Sequence, residues 1–202
     1  MSTKRHDHLI KAIMIGESGV GKTALATRFA YQRFIQHHVM TFGIDMVIAT
    51  LDYQGQRVQF NIWDSTGDIR FETITDIYLK TVETIIIVFD LSNHETFTKV
   101  PNWLNRAKSY HASNANYIIL GNKADKTFRE VSDDEIEEMM TQPEFEGVTY
   151  FTVSAKNNDH NVDQVFQAMA KTRVETITIQ DQPKIIDASI DPLCDKCHCV
   201  VL

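Results

Sequence analysis

The run Gly16-Glu-Ser-Gly-Val-Gly21-Lys22-Thr23 decides the fold. It follows the apolar stretch Ile13-Met14-Ile15 and has the form G-x-x-x-x-G-K-S/T. A strand, a glycine-rich loop and a helix start, in that order, make a cradle for phosphate. Gly16 and Gly21 permit the tight turn that points successive N–H groups at one spot. A helix opening near Thr23 adds the positive end of its dipole and its unpaired N–H groups. Ser18, Gly19, Val20, Gly21, Lys22, Thr23 and Ala24 are the candidate phosphate-binding set. Lys22 is the point charge for the outer phosphates, and the Thr23 hydroxyl is a candidate Mg²⁺ ligand.

Outward from this loop, apolar runs alternate with helical patterns. Leu9–Ile15 reads as a strand and Thr23–Phe34 as a helix. Ile44–Tyr53 and Val58–Trp63 read as a hairpin turning at Gln54-Gly55-Gln56. Ile85–Asp90, Tyr117–Leu120 and Val148–Val153 are short and nearly all apolar, which suits strands covered on both faces. Helical patterns fall around Asn102–Ser109, Asp133–Met140 and Asn161–Thr176. This alternation predicts an α/β fold, a mostly parallel sheet with helices on both faces. Pro101 sits at a first-turn position or marks a kink. The acidic run Asp133-Asp-Glu-Ile-Glu-Glu138 reads as a helix start, because Ser132 and Glu135 form a capping-box pair.

The 202 residues suffice for one domain and a tail. A net charge of −7, with no basic stripe, argues against a nucleic-acid partner. No apolar run reaches the length of a membrane helix, and the polar start Met1–His8 has no signal-peptide block. All 3 cysteines lie in the last nine residues, so the folded part has no disulfide framework.

Further signals follow the loop in a fixed order: Thr41 in Thr41-Phe-Gly43-Ile-Asp45, Asp64 in Trp63-Asp64-Ser-Thr-Gly67, Asn122-Lys123-Ala-Asp125, and Ser154-Ala155-Lys156. Asp64, Asn122 and Ser154 each close or follow a strand, where open α/β sheets bind ligands. From about Leu9 to Thr176 the chain resembles the small Ras-like GTPases, P-loop G domains, and among them the Rab branch. A carboxylate such as Asp125 accepts both adjacent donors of guanine, a pair that adenine lacks. That argues against a P-loop kinase or ATPase, as does the lack of a lid segment.

The resemblance implies GTP and GDP as ligands with Mg²⁺. Asn122 would tie its loop to the phosphate loop, Lys123 would pack over the base, and the Ala155 N–H, between Ser154 and Lys156, would meet the guanine carbonyl. Phe34 would stack on the base edge or else lie in the core. Thr23, Thr41 and Asp64 would serve the metal, Asp64 through a water. Thr41 and the Gly67 N–H would engage only while the γ-phosphate is present, so its loss would release both segments.

The chain departs from the Rab pattern in two places. Asp68 stands where a Gln orients the attacking water; an ionised Asp only accepts, and its charge would face the γ-phosphate. The catalytic candidates are thus Lys22 and Asp68, with slow hydrolysis expected. The alternative is a GTP-held binding module with little turnover. Met46 replaces an aromatic of the effector-reading surface, where Trp63 and Tyr78 remain; Trp63 could equally be core.

The chain ends Cys194-Asp-Lys-Cys197-His198-Cys199-Val-Val-Leu202. Cys199 heads a C-a-a-X box whose Leu points to geranylgeranyl, and Cys197 is a second candidate lipid site. A rival metal cluster of Cys194, Cys197, His198 and Cys199 lacks the second ligand pair usual in zinc modules. The expected layout is a disordered 1–8, a G domain over 9–177 and a flexible tail over 178–202. By resemblance the protein is a monomeric switch in vesicle trafficking on the cytoplasmic face of an endomembrane, cycling with the cytosol. Its partners would be an exchange factor, a GTPase-activating protein, a GDP-dissociation inhibitor and effectors.

Overall fold

A computed structural model describes residues 6–36, 40–110, 115–157 and 161–180. Among these, six strands form one sheet in the order β2-β3-β1-β4-β5-β6. They are β1 (His8–Ile15), β2 (Ile44–Tyr53), β3 (Gln56–Ser65), β4 (Thr84–Asp90), β5 (Asn116–Asn122) and β6 (Thr149–Thr152). Only β2 runs antiparallel, joined to β3 through the Gln54–Gly55 turn; the other pairings are parallel.

The two-sided cover expected of three apolar strands holds for β4 and β5, whereas β6 is an edge strand with partly exposed side chains; β1 shares that cover from Ala12 to Ile15. Alternate residues of β1, β4 and β5 enter two different cores. Ile10, Ala12, Met14, Ile86, Val88, Ile118 and Leu120 face α1 (Lys22–Tyr31) and α6 (Asn161–Gln180). Ile13, Ile15, Ile85, Ile87, Phe89 and Ile119 face α2 (Glu72–Leu79), α3 (His94–Thr98), α4 (Val100–Tyr110) and α5 (Asp133–Met140). Helices therefore cover both faces. In the first core Phe166 stacks on Phe29 at 3.5 Å between ring centroids, and both meet the edge or face of Phe60.

Several boundaries differ from the sequence expectation. Helix α1 ends at Tyr31 because Gln32 turns left-handed, with φ 53. Phe34 is consequently outside the helix. Pro101 is the second residue of α4, where its missing N–H costs no helical bond. Strand β1 starts at His8, and Asp7 exchanges hydrogen bonds with Arg57, so order reaches into the segment expected to be disordered. The capping box of α5 is present as read, Ser132 with Glu135. Residues 1–5 and the tail cysteines Cys194, Cys197 and Cys199 lie outside the described residues, as does the tail from 181 onward.

Because the long strands run parallel, β1, β3, β4, β5 and β6 all end at one rim of the sheet. Thr41 precedes β2 at that same rim, since Ile44 pairs with Ser65 at the end of β3. This topology alone gathers every sequence-selected loop on one edge.

Candidate functional site

A cleft of about 320 Å³ opens along this rim. One wall is the phosphate loop, through Ser18, Gly19, Gly21, Thr23 and Ala24; across it stand Phe34, Thr41, Thr66 and Gly67. Gly21 has φ 101, and a Cβ there would sit 2.3 Å from Asn122 Nδ2, so no side chain fits. Val20 is buried, and its carbonyl accepts from Asn122 Nδ2. Lys22 is only 5% exposed, and its Nζ donates to the carbonyls of Gly16 and Glu17, each at 2.8 Å. Burial pushes its ammonium down to about 8, only partly offset by the carboxylates of Asp64 and Glu17.

Three oxygen-bearing side chains meet below the loop. Thr23 Oγ1 donates to Asp64 Oδ2 at 2.5 Å and lies 2.9 Å from Thr41 Oγ1. Thr41 Oγ1 reaches the same carboxylate oxygen at 3.4 Å. The donors are two hydroxyls and a carboxylate, hard oxygens that fit Mg²⁺ and suit no soft metal. Among the described residues no cluster of His, Cys, Asp and Glu competes for a metal.

The far end of the cleft is lined by Phe34, Lys123, Asp125, Ala155 and Lys156. Asn122 is 1% exposed. Its Nδ2 donates to the Val20 carbonyl at 2.8 Å, and its Oδ1 accepts from the Ala155 N–H at 3.2 Å. Lys123, held at φ 67, spans from the Gly19 carbonyl to the Asp90 carboxylate, 2.7 Å to each. Asp125 accepts from Ser154 Oγ at 2.6 Å, which fixes the direction of its carboxylate. Phe34 is 38% exposed and lines both parts of the cleft, so it is no core residue.

Two supports escaped the sequence reading. Arg28 of α1 is 8% exposed and donates to the carbonyls of Ala155 at 2.7 Å and Lys156 at 2.8 Å. It fixes the loop that carries Ala155. Trp103 of α4 donates from Nε1 to Glu17 Oε1 at 3.0 Å, holding the phosphate loop from behind. One helical turn on, Arg106 pairs with both Glu72 and Asp76 of α2. Nothing local signals these contacts; each joins residues far apart in the chain.

The sequence model of the Ras family matches residues 11–175. The chain belongs to the Ras family. It is 34% identical over 199 residues to GTP-binding protein YPTM2 of Zea mays, covering 96% of this chain and 97% of that one. It is 36% identical over 169 residues to Ras-related protein Rab-13 of Bos taurus, covering 83% and 81%, and it matches Rab-13 of Mesocricetus auratus equally well. The protein is thus a divergent Rab-like small GTPase, a GTP- and GDP-binding hydrolase in the general sense of its family.

At Asp68, where this GTPase departs from the Rab pattern, the structure differs from the expectation. Asp68 does not line the cleft that its charge is expected to face. Its carboxylate accepts from the Arg70 N–H at 2.9 Å and from Arg70 Nε and Nη2 at 2.5–3.0 Å. Arg70 holds the Asp68 carboxyl at about 2, below the usual range. On the outer face, Met46 is 48% exposed and pairs across the hairpin with Trp63. Trp63 is partly buried against Tyr78, 5.8 Å between ring centroids, so it belongs half to the core and half to the surface.

The depressed Lys22 gives a pH-dependent signature. At pH 9 an ammonium with a pKa of about 8 is mostly deprotonated, and a phosphate brought beside it raises that pKa again. Binding of GDP at pH 9 is expected to take up about one proton, and at pH 7 far less. Calorimetry in two buffers of different ionisation enthalpy reads this directly; no proton uptake at pH 9 would contradict the assignment.

Proposed function

We propose that this Rab-like GTPase is a membrane-attached switch in vesicle trafficking, one that turns over GTP slowly unless a partner assists. The observation that carries the reading is the meeting of Thr23, Thr41 and Asp64 in the same cleft that Asn122, Asp125 and Ala155 close at the other end. A guanosine nucleotide has matching parts in that order, metal-bound phosphates at one end and a base with two adjacent donors at the other.

In this reading Ser18–Ala24 hold the phosphates through main-chain N–H groups, and Lys22 neutralises charge that develops on them during hydrolysis. Thr23 and Thr41 hold Mg²⁺, with Asp64 behind them. The ion, when bound, neutralises phosphate charge. Asp125 accepts from the guanine donors, the Ala155 N–H is shared between Asn122 Oδ1 and the guanine carbonyl as a three-centre bond, Lys123 and Phe34 flank the base, and Ser154 and Lys156 fix the loop. Thr41 and Gly67 sense the γ-phosphate, so its loss frees both segments. Exchange factor, activator and dissociation inhibitor act on that change, and effectors read the face of Met46, Trp63 and Tyr78.

Slow turnover rests on Asp68. A water poised for attack needs an acceptor and a donor, and both Asp68 oxygens are taken by Arg70. The same observation favours the second reading, a GTP-held binding module. Single-turnover hydrolysis distinguishes them. Asp68→Gln is expected to be ~10- to ~100-fold faster than the parent, a barrier lower by about 1.4 to 2.8 kcal/mol. Equal measurable rates would end the slow-hydrolysis reading; no hydrolysis in either protein would leave the module.

Attachment rests on the tail. Cys199 would carry geranylgeranyl, and one prenyl chain anchors only marginally. From Pro183 onward two lysines face three aspartates, which is no polybasic patch, so the second anchor would be a lipid on Cys197 or Cys194. Intact-mass analysis of the chain from a prenylating host should find isoprenoid on this end; an unmodified terminus would refute it.

A further inference from the structure

Gly67 presses on the phosphate loop so closely that a Cβ on it would lie 2.1 Å from the Ser18 nitrogen and 2.3 Å from the Glu17 carbonyl carbon. The next residue, Asp68, therefore stands at the margin of the cleft, on the side of Ser18 and Gly67. An Asp here has two options. It can leave its charge toward the phosphates, or it can fold it back on its own chain.

Residue chemistry selects the second. A single methylene lets Asp68 reach the N–H two residues on, and Oδ1 accepts from Arg70 N at 2.9 Å. That contact aims the Arg70 fork at the same carboxylate. Nε lies 3.0 Å from Oδ1 and 2.9 Å from Oδ2, and Nη2 lies 2.5 Å from Oδ2. Planar donors in fixed register match a carboxylate in a way that a lysine cannot. The pair is asymmetric in exposure: the Asp68 side chain is 17% exposed and the Arg70 side chain 69%. The guanidinium carbon also stands 5.9 Å from the Phe71 ring centroid. Arg70 thus lies as a cover over a carboxylate that does not line the cleft.

We propose that Arg70 sets this protein's preference between guanosine triphosphate and diphosphate, by chelating Asp68 and cancelling a negative charge that would otherwise stand beside the outermost phosphate. Arg70 is a positioning residue here, since it acts through Asp68. The effect is selective by construction. A diphosphate places no charge at the outermost position, so only the triphosphate feels an uncovered Asp68. The inference rests on the nucleotide reading of the cleft.

The test measures GDP and a non-hydrolysable GTP analogue, each with Mg²⁺, by competition against a fluorescent GDP on the full chain. Arg70→Ala is expected to weaken the triphosphate relative to the diphosphate by ~5-fold or more, and Asp68→Asn combined with Arg70→Ala to return the ratio to within about 2-fold of the parent. Both side chains sit in a surface segment, and thermal melts of each variant check that it folds. Equal weakening of both nucleotides, an unchanged ratio, or failure of the double variant to restore it overturns the proposal. If the parent chain binds neither nucleotide, the cleft reading itself falls, and the proposal falls with it.

Discussion

The side-chain amide of Asn122 is the contact on which the site depends. It closes β5 fully buried, level with Asp90 at the end of β4. Its NH₂ takes the Val20 carbonyl, and its oxygen takes the Ala155 N–H. Three loops that share no sequence neighbourhood are thereby set at fixed spacing. Loss of the amide would strand a buried carbonyl and a buried N–H, at a cost of about 1–3 kcal/mol for each group left unpaired. Gly21 is a consequence of the same amide, which occupies the space its side chain would need. Arg28 repeats the logic from the opposite side, fastening α1 to the Ala155 loop by two carbonyls.

A second constraint is electrostatic. The rim collects charges that the fold keeps only in company. Lys22 is buried among carbonyls and has lost part of its affinity for a proton. Asp90 would be raised by burial alone, yet Lys123 and Ser92 hold it below the usual carboxylate range. Asp68 is covered by Arg70. These arrangements suit the cleft to a polyanion: among the described residues Asp68 and Asp90 are each covered by a cation, and Asp64 and Glu17 only partly offset the burial of the Lys22 ammonium. The Asp64 carboxylate is gathered with two hydroxyls into a set of hard donors.

Much of this was legible in the sequence, for identifiable reasons. β4 and β5 announce themselves because two-sided burial leaves their middles apolar, and β1 does so from Ala12 onward, past the exposed Lys11. The capping box at Ser132 and Glu135 is a local hydrogen-bond pattern, so it survives in one dimension. The spacing of the phosphate loop and of Asn122–Asp125 is set by turn geometry and reads directly. The end of α1 did not read, because Gln32 adopts the left-handed turn that a Gly or Asn would have signalled. Trp103 with Glu17, and Arg28 with Ala155, are contacts across 86 and 127 residues; periodicity carries no trace of them. Asp68 is the instructive miss. Its partner is only two residues away, yet weighing the acid against the phosphate alone hid the nearer cation.

The central claim is that one cleft, stitched by Asn122, selects guanine through Asp125. Calorimetric titration of the full chain with GTP, GDP and ATP, each with Mg²⁺, tests it most directly. A site built to accept the two guanine donors should bind GTP and GDP and reject ATP by ~1,000-fold or more. Equal affinity for ATP, or no heat with any guanosine nucleotide from a folded sample, would contradict the account.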